Sequence, residues 1–85
     1  MAEDKKITNR IRYLRFMHGE MTQQALADRV HVSRQTIHAI EAGKYSPTLE
    51  LAFRLADVFK TSIGEVFRWG DEAETDQRIE GRDEQ

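Results

Sequence analysis

Between Ile7 and Phe67 the apolar side chains recur three and four residues apart, in groups separated by short polar stretches. That spacing lines up one face of a helix. Ile7, Ile11, Leu14 and His18 form a first stripe, which Tyr13, Phe16 and Met17 widen. The pattern predicts a helix capped at Thr8 or Asn9 and stopped by Gly19. Leu26 and Val30 predict a second helix, capped by Thr22 and running to about Val30. Ile37 and Ile40 predict a third, capped by Ser33 and ending near Ala42, with Gly43 just beyond. Residues 44–48 read as a loop around Pro47, the only proline. Thr48 then caps a fourth helix, Leu49 to Phe59, whose Leu51, Ala52, Leu55, Ala56 and Phe59 share a face. Ser62 and Glu65 have the spacing of a capping box and predict a single-turn fifth helix ending near Phe67.

From Gly70 onward Ile79 is the sole large aliphatic residue in a highly charged stretch. Such a stretch cannot bury enough apolar surface to offset the entropy of ordering it. The expected organisation is therefore an all-α domain over residues 1–69, with Met1–Lys6 loose, and an acidic disordered tail over 70–85. Ile79-Glu80-Gly81-Arg82 matches a factor Xa recognition sequence, native or left by processing, and no function is rested on it. No internal repeat is visible.

Charge sharpens this division. The net charge of −2 counts at first sight against a nucleic-acid binder. Yet residues 1–69 carry 11 Lys and Arg against 8 Asp and Glu, a net of +3, while residues 70–85 carry 2 against 7, a net of −5. The body is mildly basic, and distribution matters more than the total. With 85 residues and no cysteine, the chain offers one small core, no disulfide and no thiolate chemistry. No apolar run approaches the roughly 20 residues of a membrane span, and the N-terminus lacks the apolar stretch of a signal peptide. A cytoplasmic protein is expected.

The candidate chemistry lies between Thr22 and Gly43. With Ile37 at the centre of the buried face of the third helix and about 100° per residue, Ile40 falls beside it and Ser33 near it. Arg34, Gln35, His38, Ala39 and Ala42 fall on the opposite side. Arginine can bond guanine O6 and N7 in a bidentate pair, and glutamine adenine N6 and N7. Ala39 and the Thr36 methyl can pack on a thymine methyl. Thr22-Gln23-Gln24 opens the second helix with amide side chains and unpaired backbone N–H groups, which attract phosphate. Together these would fix register through phosphates and read sequence through bases. His18, His31 and His38 do not share a helix at metal-ligand spacing, so no metal and no cofactor is expected.

Thr22-Gln23, Leu26-Ala27, Val32-Ser33, Thr36-Ile37, Ile40-Glu41 and Gly43 resemble the helix-turn-helix of the phage repressor and Cro class, the Xre family. The resemblance runs on through residues 44–49 to Val66-Phe67 and covers about Ile7 to Trp69. The short form is similar to compact stand-alone repressors such as the cytolysin repressor. That likeness implies five helices and a small two-stranded sheet pairing Ile7 and its neighbours with Phe67 to Trp69 near a dimer interface. It also implies roles. Gln23 would bind phosphate and brace the recognition helix. Arg34, Gln35 and Ala39, with His38 beside them, would read bases. Ser33 would touch phosphate or base, Lys44 would lie near the backbone, and Arg15 and Glu41 would form a salt bridge beneath the DNA surface.

The likeness implies a homodimeric, sequence-specific repressor of double-stranded DNA on a near-palindromic operator. An antitoxin or protein-binding adaptor, with a regulatory protein partner, can use the same fold. An enzyme is not expected, since there is no clustered acid–base pair and no phosphate loop. One departure stands out. The family commonly places glycine in the turn between helices two and three, and this chain has His31. Histidine is among the few residues that tolerate positive φ, at a cost of roughly 1 kcal/mol against glycine.

Overall fold

The computed structural model describes residues 7–70. The loose Met1–Lys6 and the disordered tail beyond Gly70 are expectations that lie outside the described residues. The elements run β1 (Ile7–Asn9), α1 (Ile11–Met17), α2 (Gln23–Val30), α3 (Arg34–Glu41), α4 (Leu49–Val58), α5 (Ile63–Val66) and β2 (Phe67–Trp69). The two strands pair antiparallel, Ile7 with Trp69, Thr8 with Arg68 and Asn9 with Phe67.

Local chemistry sets the helix ends. Thr22 Oγ1 accepts from the Ala25 N–H at 2.9 Å, Ser33 Oγ from Thr36 at 3.1 Å and Thr48 Oγ1 from Leu51 at 3.1 Å. Each such cap contributes about 1 kcal/mol. The far ends of α2, α3 and α4 close alike, on residues of positive φ: His31 (65°), Gly43 (77°) and Lys60 (55°). The next residue's N–H then reaches back five residues: Val32 to the Ala27 carbonyl, Lys44 to Ala39, Thr61 to Ala56. These are the bonds of the left-handed helix stop. The turn is thus placed where His31 was expected to strain it.

Side chains from α1 to α5 meet in one core. Ile11, Leu26, Ala27, Val30, Ile37, Leu55 and Val66 have no solvent exposure, and Leu14, Ile40, Leu51, Ala56 and Phe59 have little. Arg54 fastens α4 to α2 by donating from Nη1 to the Val30 carbonyl at the end of α2.

Three expectations need correction. Ile7 belongs to β1 rather than to the α1 stripe, because the backbone before Ile11 is engaged elsewhere: the Arg10 N–H donates to the Val66 carbonyl at 2.8 Å. The N-cap of α1 is accordingly Arg10, with no side-chain cap bond, and neither Thr8 nor Asn9; Asn9 Oδ1 accepts from the Ile11 N–H at 3.1 Å from one residue further out, and Thr8 Oγ1 donates to the carbonyls of Arg68 and Gly70. The Ser62–Glu65 capping box does not form through side chains. The Glu65 carboxylate accepts from Arg10 Nη1 at 3.1 Å instead. Lastly, Tyr13, Phe16 and Met17, which widen the first stripe by spacing, do not join the core but stand more than half exposed. Arg10 covers the Tyr13 ring at 4.9 Å.

Candidate nucleic-acid interface

Burial of Ile37 and Ile40 fixes the rotation of α3. Arg34, Gln35 and His38 consequently point to solvent, and Ala39 lies half-buried between them. Ser33 is exposed at the start of the helix. Its Oγ lies 3.0 Å from Thr36 Oγ1 and also accepts the Thr36 N–H, so the half-buried Thr36 hydroxyl is held at the helix entrance. Lys44 is exposed immediately after Gly43.

Gln23, the first residue of α2, stands beside this face. Its Nε2 donates to Glu41 Oε1 at 3.0 Å, and its Oε1 receives a long contact of 3.5 Å from Arg34 Nη1. A carboxylate only accepts and a guanidinium only donates. Between Glu41 and Arg34 the Gln23 amide can therefore take one orientation, with one N–H left for a further acceptor. Thr22 is exposed just before it.

Beneath Gln23 lies an ion pair. Arg15 donates to Glu41 through Nε at 2.7 Å and Nη2 at 3.0 Å, and through Nη1 to the Met21 carbonyl at 2.7 Å. Both side chains are mostly buried, 15% and 10% exposed. The pair ties α1 to the end of α3, and through Gln23 to the start of α2. A hollow between these helices is lined by Arg12, Arg15, Gln23, His38, Glu41 and Ala42.

A family model described as helix-turn-helix matches residues 11–66. The chain belongs to the helix-turn-helix family. An uncharacterized HTH-type transcriptional regulator of Methanocaldococcus jannaschii is 47% identical over 64 residues, which is 75% of this chain and 96% of that protein. A second such regulator, from Archaeoglobus fulgidus, is 48% identical over 63 residues, 74% of this chain and 89% of its own. A crystal structure of a Bacteroides fragilis protein matches the fold with a TM-score of 0.64 at 21% identity, over 74% of this chain and all of the other. The helix-turn-helix family is one of DNA-binding transcriptional regulators, a non-enzymatic class.

Within the helix-turn-helix, then, α2 and α3 are the two helices and residues 31–33 the turn. Phe67 and Trp69 stand apart from this surface. They line a groove of about 460 Å³ with Ile7, Pro47, Leu49 and Ile63. Phe67 packs partly on the core, and Trp69 is 57% exposed. Among the described residues no cluster of His, Asp or Glu is arranged to hold a metal ion, and no helix is long and apolar enough to cross a membrane. Two residues were not singled out from the sequence as part of this region. Asn9 enters it through a bond to α3 that spans 31 positions and leaves no local signal. Arg12 joins the hollow only through the packing of α1 against α3.

Proposed function

We propose that the chain is a sequence-specific transcriptional repressor, acting in the cytoplasm as a homodimer on a near-palindromic operator. The observation that carries this reading is the setting of α3. Two buried isoleucines turn Arg34, Gln35 and His38 outward together, while Gln23, oriented by Glu41, stands at the positive end of α2 beside them. In the major groove, Arg34, Gln35, His38 and Ala39 would meet base edges. Thr22, Gln23, Ser33, Thr36 and Lys44 would position the helix on the backbone. The apolar groove around Leu49 and Trp69 would be covered by the second subunit, and two recognition helices would then read half-sites about one helical turn, roughly 34 Å, apart. Residues 1–69 would carry this activity, and residues 70–85 would form an acidic appendage outside it.

The test is footprinting on the DNA upstream of the protein's own gene, with sedimentation of the protein at the same concentration. A protected pair of inverted half-sites and a dimeric protein are expected. A monomer that protects no DNA but holds a regulatory protein in the groove would replace this reading with the adaptor.

A further inference from the structure

The cations around the recognition surface are not equivalent. All three guanidinium nitrogens of Arg15 are engaged, by Glu41 and by the Met21 carbonyl. Arg10 is held by Glu65 and rests on Tyr13. Arg54 is held by Glu50 and the Val30 carbonyl. Arg34 leans on the Gln23 amide oxygen. Arg12, by contrast, is exposed and has no hydrogen bond or ion pair among the described residues. It is nonetheless no isolated surface charge, because it forms one wall of the hollow that Gln23 and His38 border from α2 and α3.

The charges of that hollow do not balance. Arg15 and Glu41 cancel each other across the bidentate pair. Arg12 is left as the guanidinium of the hollow that no carboxylate pairs among the described residues. A recognition helix lying in the major groove has phosphodiester backbone along both flanks. The hollow adjoins the N-terminal end of α2, the end expected to hold a phosphate. The guanidinium fork matches phosphate oxygens bidentately, and Arg12 has its donors free to do so.

We infer that Arg12 is a further phosphate-binding residue, through which α1 grips the DNA backbone beside the phosphate held by Gln23. The inference rests on the DNA-binding reading given above and adds α1 to the surface that touches DNA. A contact of this kind is blind to sequence and sensitive to salt.

The test uses the full chain and two duplexes of equal length, one from the DNA upstream of its own gene and one of random sequence. Affinity is followed against salt concentration for the wild type, Arg12→Ala and Arg12→Lys, and thermal unfolding of each is recorded. Arg12→Ala is expected to reduce the slope of log K against log salt by about one per bound subunit, about two for the dimer, and to weaken binding of the dimer roughly a hundredfold near 0.1 M salt, equally on both duplexes. Arg12→Lys keeps the slope, and unfolding is the same in all three. A wild type that binds, with an Arg12→Ala variant of unchanged slope, overturns the assignment of Arg12 and leaves the DNA-binding reading standing. A loss confined to the upstream duplex overturns it too, as base contact rather than phosphate contact. A wild type that binds neither duplex at low salt removes the DNA-binding reading, and this inference with it.

Discussion

Asn9 Nδ2 donates to the Ile40 carbonyl at 2.9 Å, across 31 positions of sequence. One side chain thus joins the N-terminal strand to the last turn of the recognition helix, while its Oδ1 accepts from the Ile11 N–H. Asn9→Ala removes both bonds, leaving the Ile11 N–H without its partner and the Ile40 carbonyl with the Gly43 N–H alone, which should cost about 1–2 kcal/mol. Asn9→Asp keeps the acceptor but sets a carboxylate against the Ile40 carbonyl, and should recover none of it. Urea unfolding of the two variants decides the matter, and a loss under about 0.5 kcal/mol for Asn9→Ala would show the bond to be incidental.

Glu41 accepts from Arg15 and Gln23 in a mostly buried setting. Removing one partner of such a pair strands the other charge, at a cost of about 3 kcal/mol. Replacing both with apolar side chains of similar size relieves much of it. Glu41→Leu should therefore destabilise strongly, and Arg15→Met combined with Glu41→Leu should cost less than that single loss. A double-mutant cycle by denaturant unfolding measures this directly. Strict additivity of the two sites would mean that they do not interact.

His31 holds φ at 65° to close α2. Glycine adopts that conformation without strain, so His31→Gly should stabilise the fold by up to about 1 kcal/mol, less the entropy a glycine adds to the unfolded chain. A β-branched side chain fits it worst, and His31→Val should lower the melting temperature by several degrees, about 4–8 °C for each kcal/mol lost. Calorimetry of the pair gives the sign for each. A valine variant as stable as the wild type would mean that the left-handed stop is not held in solution.

Arg34 and Gln23 should fail differently. Arg34→Ala is expected to cost about 1–3 kcal/mol on the operator and to relax the preference at one base pair. Gln23→Ala should weaken binding to operator and random DNA alike. Competition binding against operators randomised one position at a time separates the two patterns. Equal losses on every sequence for Arg34→Ala would remove it from base readout.

Cap chemistry made part of this fold legible from sequence. Thr22, Ser33 and Thr48 each precede an apolar stripe, and a hydroxyl there needs only the backbone three residues on. His31 was picked out by the family likeness, which commonly has glycine in that turn, and it takes the positive φ expected there. Where bonding is long-range, spacing misleads. Ile7 fits the α1 stripe by period, yet its backbone pairs with Trp69, and only the family likeness pointed to that sheet. Glu65 has the position of a capping residue and finds Arg10 instead, 55 residues away. The polar side of α3 could be read from Ile37 and Ile40 alone. Which of its side chains meets a base depends on the DNA, a partner the chain's own spacing does not encode.

Leu49 and Trp69 are 70% and 57% exposed on the rim of an apolar groove. Two large side chains on one groove leave apolar surface in water that a second subunit would remove, at about 25 cal/mol per Å² covered. A carboxylate placed there would have to be desolvated without a partner on dimerisation. Leu49→Glu is therefore expected to yield a folded monomer with a melting temperature close to the wild type, since Leu49 lies outside the core. A monomer loses the second half-site, so operator affinity should fall by far more than affinity for random DNA. Sedimentation equilibrium and binding on the same preparation test both steps. A Leu49→Glu protein that remains dimeric would move the interface elsewhere on the surface.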